Sequence, residues 1–353
     1  MDSVAVVDTS ICTDNLGDEI IMDAVNDVVS ELFPKAYVYR VPSHEQLSDR
    51  TRRFISDASF CVIGGTNLLS SDIQPYGLWR VRQTDADVFG ATNTVCLGTG
   101  WNDYMSTATP ATRAILRAAL SRQLIHSARD SYTVDHLTAI GAKAVNTSCP
   151  TTWSLTPEHC AGIQKSKAPS VIFTLSAWRR DVEADRAFVA TLRKFYSKLY
   201  FFPQMHDDYE YFRSFGWDDE IPATTVKEYS RFLESENVDF IGTRLHGGIR
   251  ALQKKRRALI ISIDNRAAEI GKDTGLPVAP RGDLKGIETW IEDQMPTVLH
   301  LPQRAIDDWK AQFVEIVRSG KRLPTNISRD ELTAGRLATV KKYVRAGLRL
   351  AVR

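Results

Sequence analysis

The run GTRLHGG at residues 242–248 contains the residue types best suited to chemistry. Within it, Arg244 and His246 stand two apart, and Gly247 and Gly248 follow, between a strand-like and a helix-like stretch. An arginine can hold a carboxylate or phosphate through two parallel hydrogen bonds, and a histidine can transfer a proton near neutral pH. A helix N-terminus adds free N–H groups. The turn therefore predicts a site for a small, highly anionic substrate that needs proton transfer.

Other polar and glycine-rich runs also follow predicted strands, where open parallel sheets bind ligands. Asp207 and Asp208 come after one such strand; they could act as a base, bind sugar hydroxyls or cap a helix. Arg129 and Asp130 could form an internal ion pair or contact a ligand. The remaining candidates, interpreted as acceptor or loop contacts, are Asn15, Asp18, Gly64, Gly65, Asn67, Gly100, Trp101 and Gln204.

Several classes of function are disfavoured by the sequence. The glycine-rich runs do not match the dinucleotide or P-loop patterns, zinc-ligand spacing is missing, and there is no G-x-S-x-G nucleophile turn. A net charge of +2 gives no reason to expect a nucleic-acid partner. Five cysteines without a C-x-x-C pair indicate reduced thiols. Because the start Met1-Asp2-Ser3 lacks the basic region of a signal peptide, we expect a cytoplasmic protein.

Strand-like and helix-like segments alternate along most of the chain, which predicts βαβ units and parallel sheets. A helix is expected over Ala111–Ile125, for example. The polar, proline-containing stretch 164–169 separates two such halves. We therefore predict an N-terminal domain at 1–163, a C-terminal domain at 164–300, a ligand cleft between them, and C-terminal helices at 301–353.

The C-terminal tail has an apolar stripe at helical spacing, surrounded by basic residues. One interpretation is a closing helix whose basic face is solvated. The other is peripheral attachment to an anionic membrane surface. The stripe consists of Leu337, Val340, Val344, Leu348 and Ala351.

Taken in order, seven segments of the chain resemble the polysaccharide pyruvyl transferase family. The family's glycine-rich run often has three glycines, and Thr66 stands at the third position here. The segments are DNLGDEIIMDAV (14–25), VIGGTNLL (62–69), GTGW (98–101), ARDSYTVDHLTAIG (128–141), SCPTTWSL (148–155), FFPQMHDD (201–208) and GTRLHGGIRAL (242–252).

The resemblance implies two Rossmann-like domains facing across a cleft, as in GT-B glycosyltransferases, with the acceptor on the N-terminal side and the donor on the C-terminal side. It also implies transfer of the pyruvyl group of phosphoenolpyruvate onto two hydroxyls of a saccharide or lipid-linked oligosaccharide, with release of phosphate. Arg244 and His246 match the family's donor-binding and proton-transfer turn, and Arg179 is a further candidate for the donor. His246 could be the acid or the base, with Asp207 or Asp208 in the other role. No cofactor or metal is expected.

Two other functions fit the same patterns. A GT-B-type glycosyltransferase using a nucleotide sugar would share the fold, because a fold does not fix a reaction. A saccharide-binding module without catalysis would also share it, although such a module has no chemical need for both Arg244 and His246.

Overall fold

The computed structural model describes residues 3–74, 77–319, 323–328 and 330–332. The stripe of the C-terminal tail lies outside the described residues, so its two interpretations stay predictions. Within the described residues, no helix is both long and apolar enough to span a lipid bilayer.

The first half of the chain alternates strands and helices. Its larger sheet is parallel, with strand order β2-β1-β3-β4, and β5 and β6 form a separate parallel pair. The elements are β1 Ser3–Asp8, α1 Leu16–Leu32, β2 Tyr37–Pro42, α2 Asp49–Asp57, β3 Phe60–Gly64, α3 Gln83–Gly90, β4 Asn93–Leu97, α4 Pro110–Ala119, β5 His126–Ala128, α5 Ser131–Ala139, β6 Ala144–Asn146 and α6 Pro157–Ala161.

The second half repeats this alternation around a five-stranded parallel sheet of order β11-β10-β9-β7-β8. Short 3₁₀ turns lie at Pro150–Thr152 and Ala177–Arg179. The elements are β7 Ser170–Thr174, α7 Val182–Phe195, β8 Lys198–Phe201, α8 His206–Arg213, α9 Val226–Ser235, β9 Val238–Gly242, α10 Leu245–Gln253, β10 Ala258–Ser262, α11 Asn265–Thr274, β11 Val278–Pro280, α12 Leu284–Glu292 and α13 Gln303–Ser319.

Both large sheets are covered on two faces, which explains why their strands are nearly continuous apolar runs. Successive side chains of a strand point to opposite faces. Accordingly, Val4 and Val6 belong to one buried cluster, whereas Ala5 and Val7 belong to another. The prediction of a mixed α/β fold with parallel sheets is confirmed.

Two predicted boundaries were wrong. The helix expected over Ala111–Ile125 is α4, which ends at Ala119, and a strand follows at His126. The helix expected after His246 begins one residue before it, at Leu245, so His246 lies in the first turn of α10. This second shift matters because it places the imidazole at the positive end of the helix.

Helix α13 returns to the first half of the molecule. Trp309 and Phe313 are buried in the same cluster as Val4 and Val6 of β1, and Trp309 Nε1 donates to the carbonyl of Ile125 at 2.9 Å. The element that follows the second sheet in sequence therefore completes the core of the first sheet.

The loop after β3 contains a strained residue. Thr66 has φ 46°, in the left-handed region where a side chain with a branched Cβ is disfavoured. The preceding Gly65, with φ 58°, adopts a similar conformation without that cost. Thr66 is buried and its carbonyl accepts from Gly100 N at 2.8 Å, so the surrounding structure holds it in place.

Replacing Thr66 with glycine should therefore stabilise the protein. Relief of the left-handed strain is expected to raise the free energy of unfolding by about 1 kcal/mol, measured by chemical denaturation. Thr66→Ala is the matched control, because it removes most of the side chain but retains Cβ. Equal stability of the glycine and alanine variants would contradict the strain argument.

Candidate functional site

The GTRLHGG run lies where β9 ends and α10 begins. Arg244 is the N-cap residue of α10, and its backbone N–H donates to Thr174 Oγ1 of the neighbouring strand β7 at 3.0 Å. Arg244 and His246 are both buried. The turn therefore presents both side chains at the carboxyl end of the second sheet, as the sequence indicated.

The guanidinium of Arg244 is paired with Asp208. Its Nε donates to Asp208 Oδ2 at 2.9 Å and its Nη2 to Oδ1. The same carboxylate accepts from the backbone N–H groups of Ala177 and Met205, each at 3.0 Å. Asp208 thus has two donors on each oxygen and is fully buried, which assigns it to holding Arg244 rather than to accepting a substrate proton. Asp207, by contrast, is exposed on the first turn of α8.

Arg129 contributes a second buried guanidinium, from the first half of the chain. It follows β5, and its Nε donates to Asp130 Oδ2 at 2.8 Å, while Nη1 donates to Asn67 Oδ1. Its Nη2 is buried without a hydrogen-bond partner among the described residues. A Cβ on Gly100 would lie only 2.2 Å from Arg129 Cζ, so a glycine is required there. A buried, unpaired N–H of this kind is suited to an anionic ligand.

Arg266 adds a third guanidinium, on the first turn of α11. The N-cap residue Asp264 pairs with it in a bidentate manner, with distances of 3.1 Å from Nε to Oδ1 and 2.7 Å from Nη2 to Oδ2. Arg266 also lies near the exposed indole of Trp178: its Cζ is 5.3 Å from the centroid of that ring.

The positive charges of Arg266 and Arg129 act on His246. Burial, followed by these two guanidinium groups, lowers the pKa of His246 to about 3, so the imidazole is neutral at ordinary pH. The unfolded chain binds a proton at His246 below pH about 6.5, whereas the folded site does so only below pH about 3. His246 therefore lowers the stability of the fold as the pH falls from about 6.5 to about 3.

One nitrogen of His246 faces a buried thiol. Its Nε2 is 3.7 Å from Cys149 Sγ, and that sulfur also accepts from Thr151 Oγ1 at 3.0 Å. Burial raises the pKa of Cys149, which keeps the thiol protonated. Cys149 thus occupies Nε2, whereas Nδ1 has no hydrogen-bond partner among the described residues.

Asn15 and Gln204 join the two halves beside the site. Asn15 Oδ1 accepts from Gly17 N at 3.0 Å and from Gln204 Nε2 at 2.9 Å, and Leu16 N donates to the Gln204 carbonyl at 2.9 Å. Gln204 Oε1 is buried without a partner within the described ranges. Asp18 accepts from Thr13 Oγ1 at 2.8 Å.

Most of the other predicted loop residues have packing contacts. A Cβ on Gly65 would lie 2.2 Å from Ile21 Cγ2, and one on Gly64 would lie 2.9 Å from Val25 Cγ1, so both glycines let α1 approach the sheet. Gly248 similarly lets α10 pack on β10. Trp101 is fully buried, and its carbonyl accepts from Asn265 Nδ2 at 3.0 Å.

Gly247 and Arg179 complete the predicted set. A Cβ on Gly247 would lie 3.3 Å from Gln204 Oε1, so Gly247 is next to that unpartnered oxygen. Arg179 is exposed at the edge of the site and forms an ion pair with Asp103 of the first half. It is therefore not among the buried guanidinium groups near His246.

Sequence reasoning missed Arg266 and Cys149, and it left Arg129 undecided. Arg129 directly follows β5, and Arg266 lies four residues after the end of β10, in the first turn of α11; this position between a strand and a helix start is the signal that could have identified them. Nothing in the sequence indicates that Cys149 lies next to His246. Among the described residues, no group of three or more histidine, cysteine or acidic side chains is arranged to hold a metal ion.

Comparison with known proteins gives a family and a fold. The family model for polysaccharide pyruvyl transferase matches residues 15–265. No curated protein matches the sequence. A solved structure of Methanocaldococcus jannaschii UDP-GlcNAc 2-epimerase, in complex with UDP-GlcNAc and UDP, has a TM-score of 0.51 and 10% identity over 90% of this chain and 100% of that one.

Two further structures are less similar. S. aureus MnaA with UDP has a TM-score of 0.48 and 9% identity over 98% of this chain and 97% of its own. The E. coli heptosyltransferase WaaC has a TM-score of 0.35 and 11% identity over 73% and 88%. The expected GT-B-like arrangement of Rossmann-like units is confirmed.

The different surroundings of Asp207 and Asp208 predict different effects of the same substitution. Asp208→Asn should lower the free energy of unfolding by about 3 kcal/mol, because it leaves the buried Arg244 without its counter-charge. Asp207→Asn, the matched control on the exposed side of the same turn, should cost less than about 1 kcal/mol. Chemical denaturation of both variants measures this, and equal costs would contradict the role given to Asp208.

The charge on Arg266 should be measurable at His246. Arg266→Gln is expected to raise the pKa of His246, because a nearby positive charge is removed and Asp264 loses its partner. The pKa should stay below its ordinary value, since burial is the larger cause and is retained. A histidine NMR titration, assigned with His246→Gln, measures the change. Arg193→Gln on α7, which breaks a pair with Asp219 in the segment between α8 and α9, is the control; equal pKa values in both variants would exclude the proposed coupling.

Proposed function

The chain belongs to the polysaccharide pyruvyl transferase family, and we propose that it transfers the pyruvyl group of phosphoenolpyruvate onto two hydroxyls of a saccharide, forming a cyclic ketal and releasing phosphate. The observation that carries the proposal is the unpaired Nη2 of the buried Arg129. A buried guanidinium with a free N–H, close enough to a neutral histidine to lower its pKa, favours a ligand that brings negative charge and receives a proton.

Phosphoenolpyruvate has the charge that such a site requires. It carries a carboxylate and a phosphate on a three-carbon frame, and guanidinium groups recognise both through charge-assisted hydrogen bonds. In this proposal Arg129 and Arg266 bind the two anionic groups, while Asp208 holds Arg244 in place behind them. Donor binding would offset the positive charges that now lower the pKa of His246, so that the imidazole could become protonated.

Proton transfer then follows the polarity of the donor. Protonated His246 gives a proton from Nδ1 to the methylene carbon, which makes the central carbon electrophilic. A sugar hydroxyl oxygen bonds to that carbon and its proton passes to a base, for which the exposed Asp207 is our candidate. A second hydroxyl oxygen of the same sugar then bonds to the central carbon and displaces phosphate, which leaves with the electron pair of the broken C–O bond. The proton of this second hydroxyl passes to the departing phosphate, which is released as hydrogen phosphate, and the ketal is closed.

Donor binding and turnover can be tested separately. Phosphoenolpyruvate at 100 times its dissociation constant should stabilise the protein by about 2.7 kcal/mol in a thermal-shift assay. His246→Gln should retain most of this stabilisation, whereas Arg129→Lys should weaken it, because a lysine cannot reproduce the guanidinium geometry. Phosphate release with an accepted sugar should fall by about 10²- to 10⁴-fold in His246→Gln.

The nucleotide-sugar alternative predicts the opposite ligand preference. Stabilisation by UDP or GDP, without a response to phosphoenolpyruvate, would replace the proposal with glycosyl transfer. Retention of wild-type phosphate release by His246→Gln would exclude His246 as the proton donor. A circular dichroism spectrum of each variant establishes that the fold is intact.

A further inference from the structure

Two large aromatic side chains are exposed beside helix α11, which carries Arg266. Trp178 has 47% of its surface exposed and lies in the 3₁₀ turn after β7. Tyr104 is 58% exposed and lies in the segment that follows the buried Trp101. Single exposed apolar residues are common on protein surfaces, but two large exposed aromatic side chains on neighbouring segments are a candidate binding surface.

Contacts to α11 connect both rings with the proposed donor site. Arg266 Cζ lies 5.3 Å from the centroid of the Trp178 ring. One helical turn further along, Glu269 Oε1 accepts from the Tyr104 hydroxyl at 2.7 Å. Trp178 therefore borders the side chain whose charge acts on His246, and Tyr104 contacts the same helix one turn further along. A molecule resting on them would lie next to the proposed donor.

Polar groups lie between the two aromatic residues. Asp103 and Arg179 form an ion pair across the two halves, and 43% and 42% of their side-chain surfaces are exposed. A half-exposed pair of this kind keeps unused hydrogen-bonding capacity on both partners. Asp103 is the chain neighbour of Tyr104, and Arg179 Cζ lies 5.0 Å from the Trp178 ring centroid.

A sugar presents an apolar C–H face and a rim of hydroxyl groups. A cyclic ketal forms from two hydroxyls of one sugar. The edge of the sugar that carries both hydroxyls must therefore face the site during both bond-forming steps. An aromatic surface can hold the apolar face while the polar rim stays free to react. We propose that Trp178 and Tyr104, with the Asp103–Arg179 pair, form the binding subsite for the acceptor saccharide. The assignment of this sugar as the acceptor rests on the proposed function.

This subsite differs from the acceptor residues expected from the sequence. Trp101 and Asn67 are buried, and Gly64 and Gly65 pack against α1, so a sugar would not reach them without displacing protein contacts. The exposed surface begins two residues after Trp101. Arg179, expected to bind the donor, belongs to the edge that would receive the acceptor.

The cation–π contact offers a competing role for Trp178. If Trp178 served only to hold Arg266, Trp178→Ala would weaken donor binding and leave sugar binding unchanged. If it forms the saccharide subsite, the same variant would lose sugar binding while the donor still stabilises the protein. The two roles therefore differ in which ligand is affected.

The test uses saturation-transfer-difference NMR on the full chain, with methyl β-D-glucopyranoside, methyl β-D-galactopyranoside, lactose and cellobiose as probes. We expect the wild-type protein to transfer saturation to at least one of these sugars. This saturation-transfer signal should fall at least fivefold in Trp178→Ala and in Tyr104→Ala. Trp178→Phe should retain binding, because it keeps an aromatic surface. Tyr37→Ala is the matched control, since Tyr37 is also 58% exposed but lies on β2, the edge strand of the first sheet.

Two results would contradict the proposed subsite. One is an equal saturation-transfer signal in the wild type and in both alanine variants. The other is the lack of any signal from all four sugars with the wild type. A thermal shift with phosphoenolpyruvate on the same samples separates this result from the proposed function. Sugar binding that depends on Trp178, without any response to phosphoenolpyruvate, would retain the subsite and reject the donor.

Discussion

The site depends on the burial of a guanidinium that the protein only partly satisfies. Arg129 is held by Asp130 and Asn67, and Gly100 provides the space for it, yet its Nη2 has no partner among the described residues. An unpaired buried N–H on a charged group costs free energy that the rest of the fold must offset. Such a cost is reasonable where an anionic ligand completes the hydrogen bonding.

Burial, together with the positive charges of Arg266 and Arg129, keeps His246 neutral. A histidine on the first turn of a helix, buried and near two guanidinium groups, is neutral unless a negative charge arrives. Arg244 contributes less to this field because Asp208 neutralises it at close range. The pairing of the arginines also differs: Arg244 and Arg266 each form a bidentate ion pair, with Asp208 and Asp264, whereas Arg129 Nη2 is buried without a partner among the described residues.

The sequence was sufficient to predict the parallel α/β halves and the strand-to-helix turn at 242–248, because both depend on local patterns. It could not show that Arg244 and Asp208 pair, since that contact joins residues from the ends of different strands. The proximity of Cys149 to His246 was likewise unpredictable, because it depends on how the 3₁₀ turn at Pro150–Thr152 packs against α10. Gly64 and Gly65 were interpreted as ligand contacts because a glycine required for packing cannot be distinguished in sequence from one required for binding.

Both halves of the chain contribute to the site, so its geometry depends on how they are joined. Arg129 comes from the first half, and His246 and Arg266 come from the second. The halves are connected by hydrogen bonds from Gln204 to Asn15, from Asn265 to the Trp101 carbonyl, and from Ser131 N to Asp273. Helix α13 adds apolar contacts from the end of the chain to the first sheet. Because the Asn265 bond lies next to Arg266 in sequence, and Ser131 is two residues after Arg129, the contacts that join the halves also fix the separation of the two charges. A change in the angle between the halves would alter the separation of Arg129 and Arg266 directly, which ties the packing of the whole fold to the surroundings of His246.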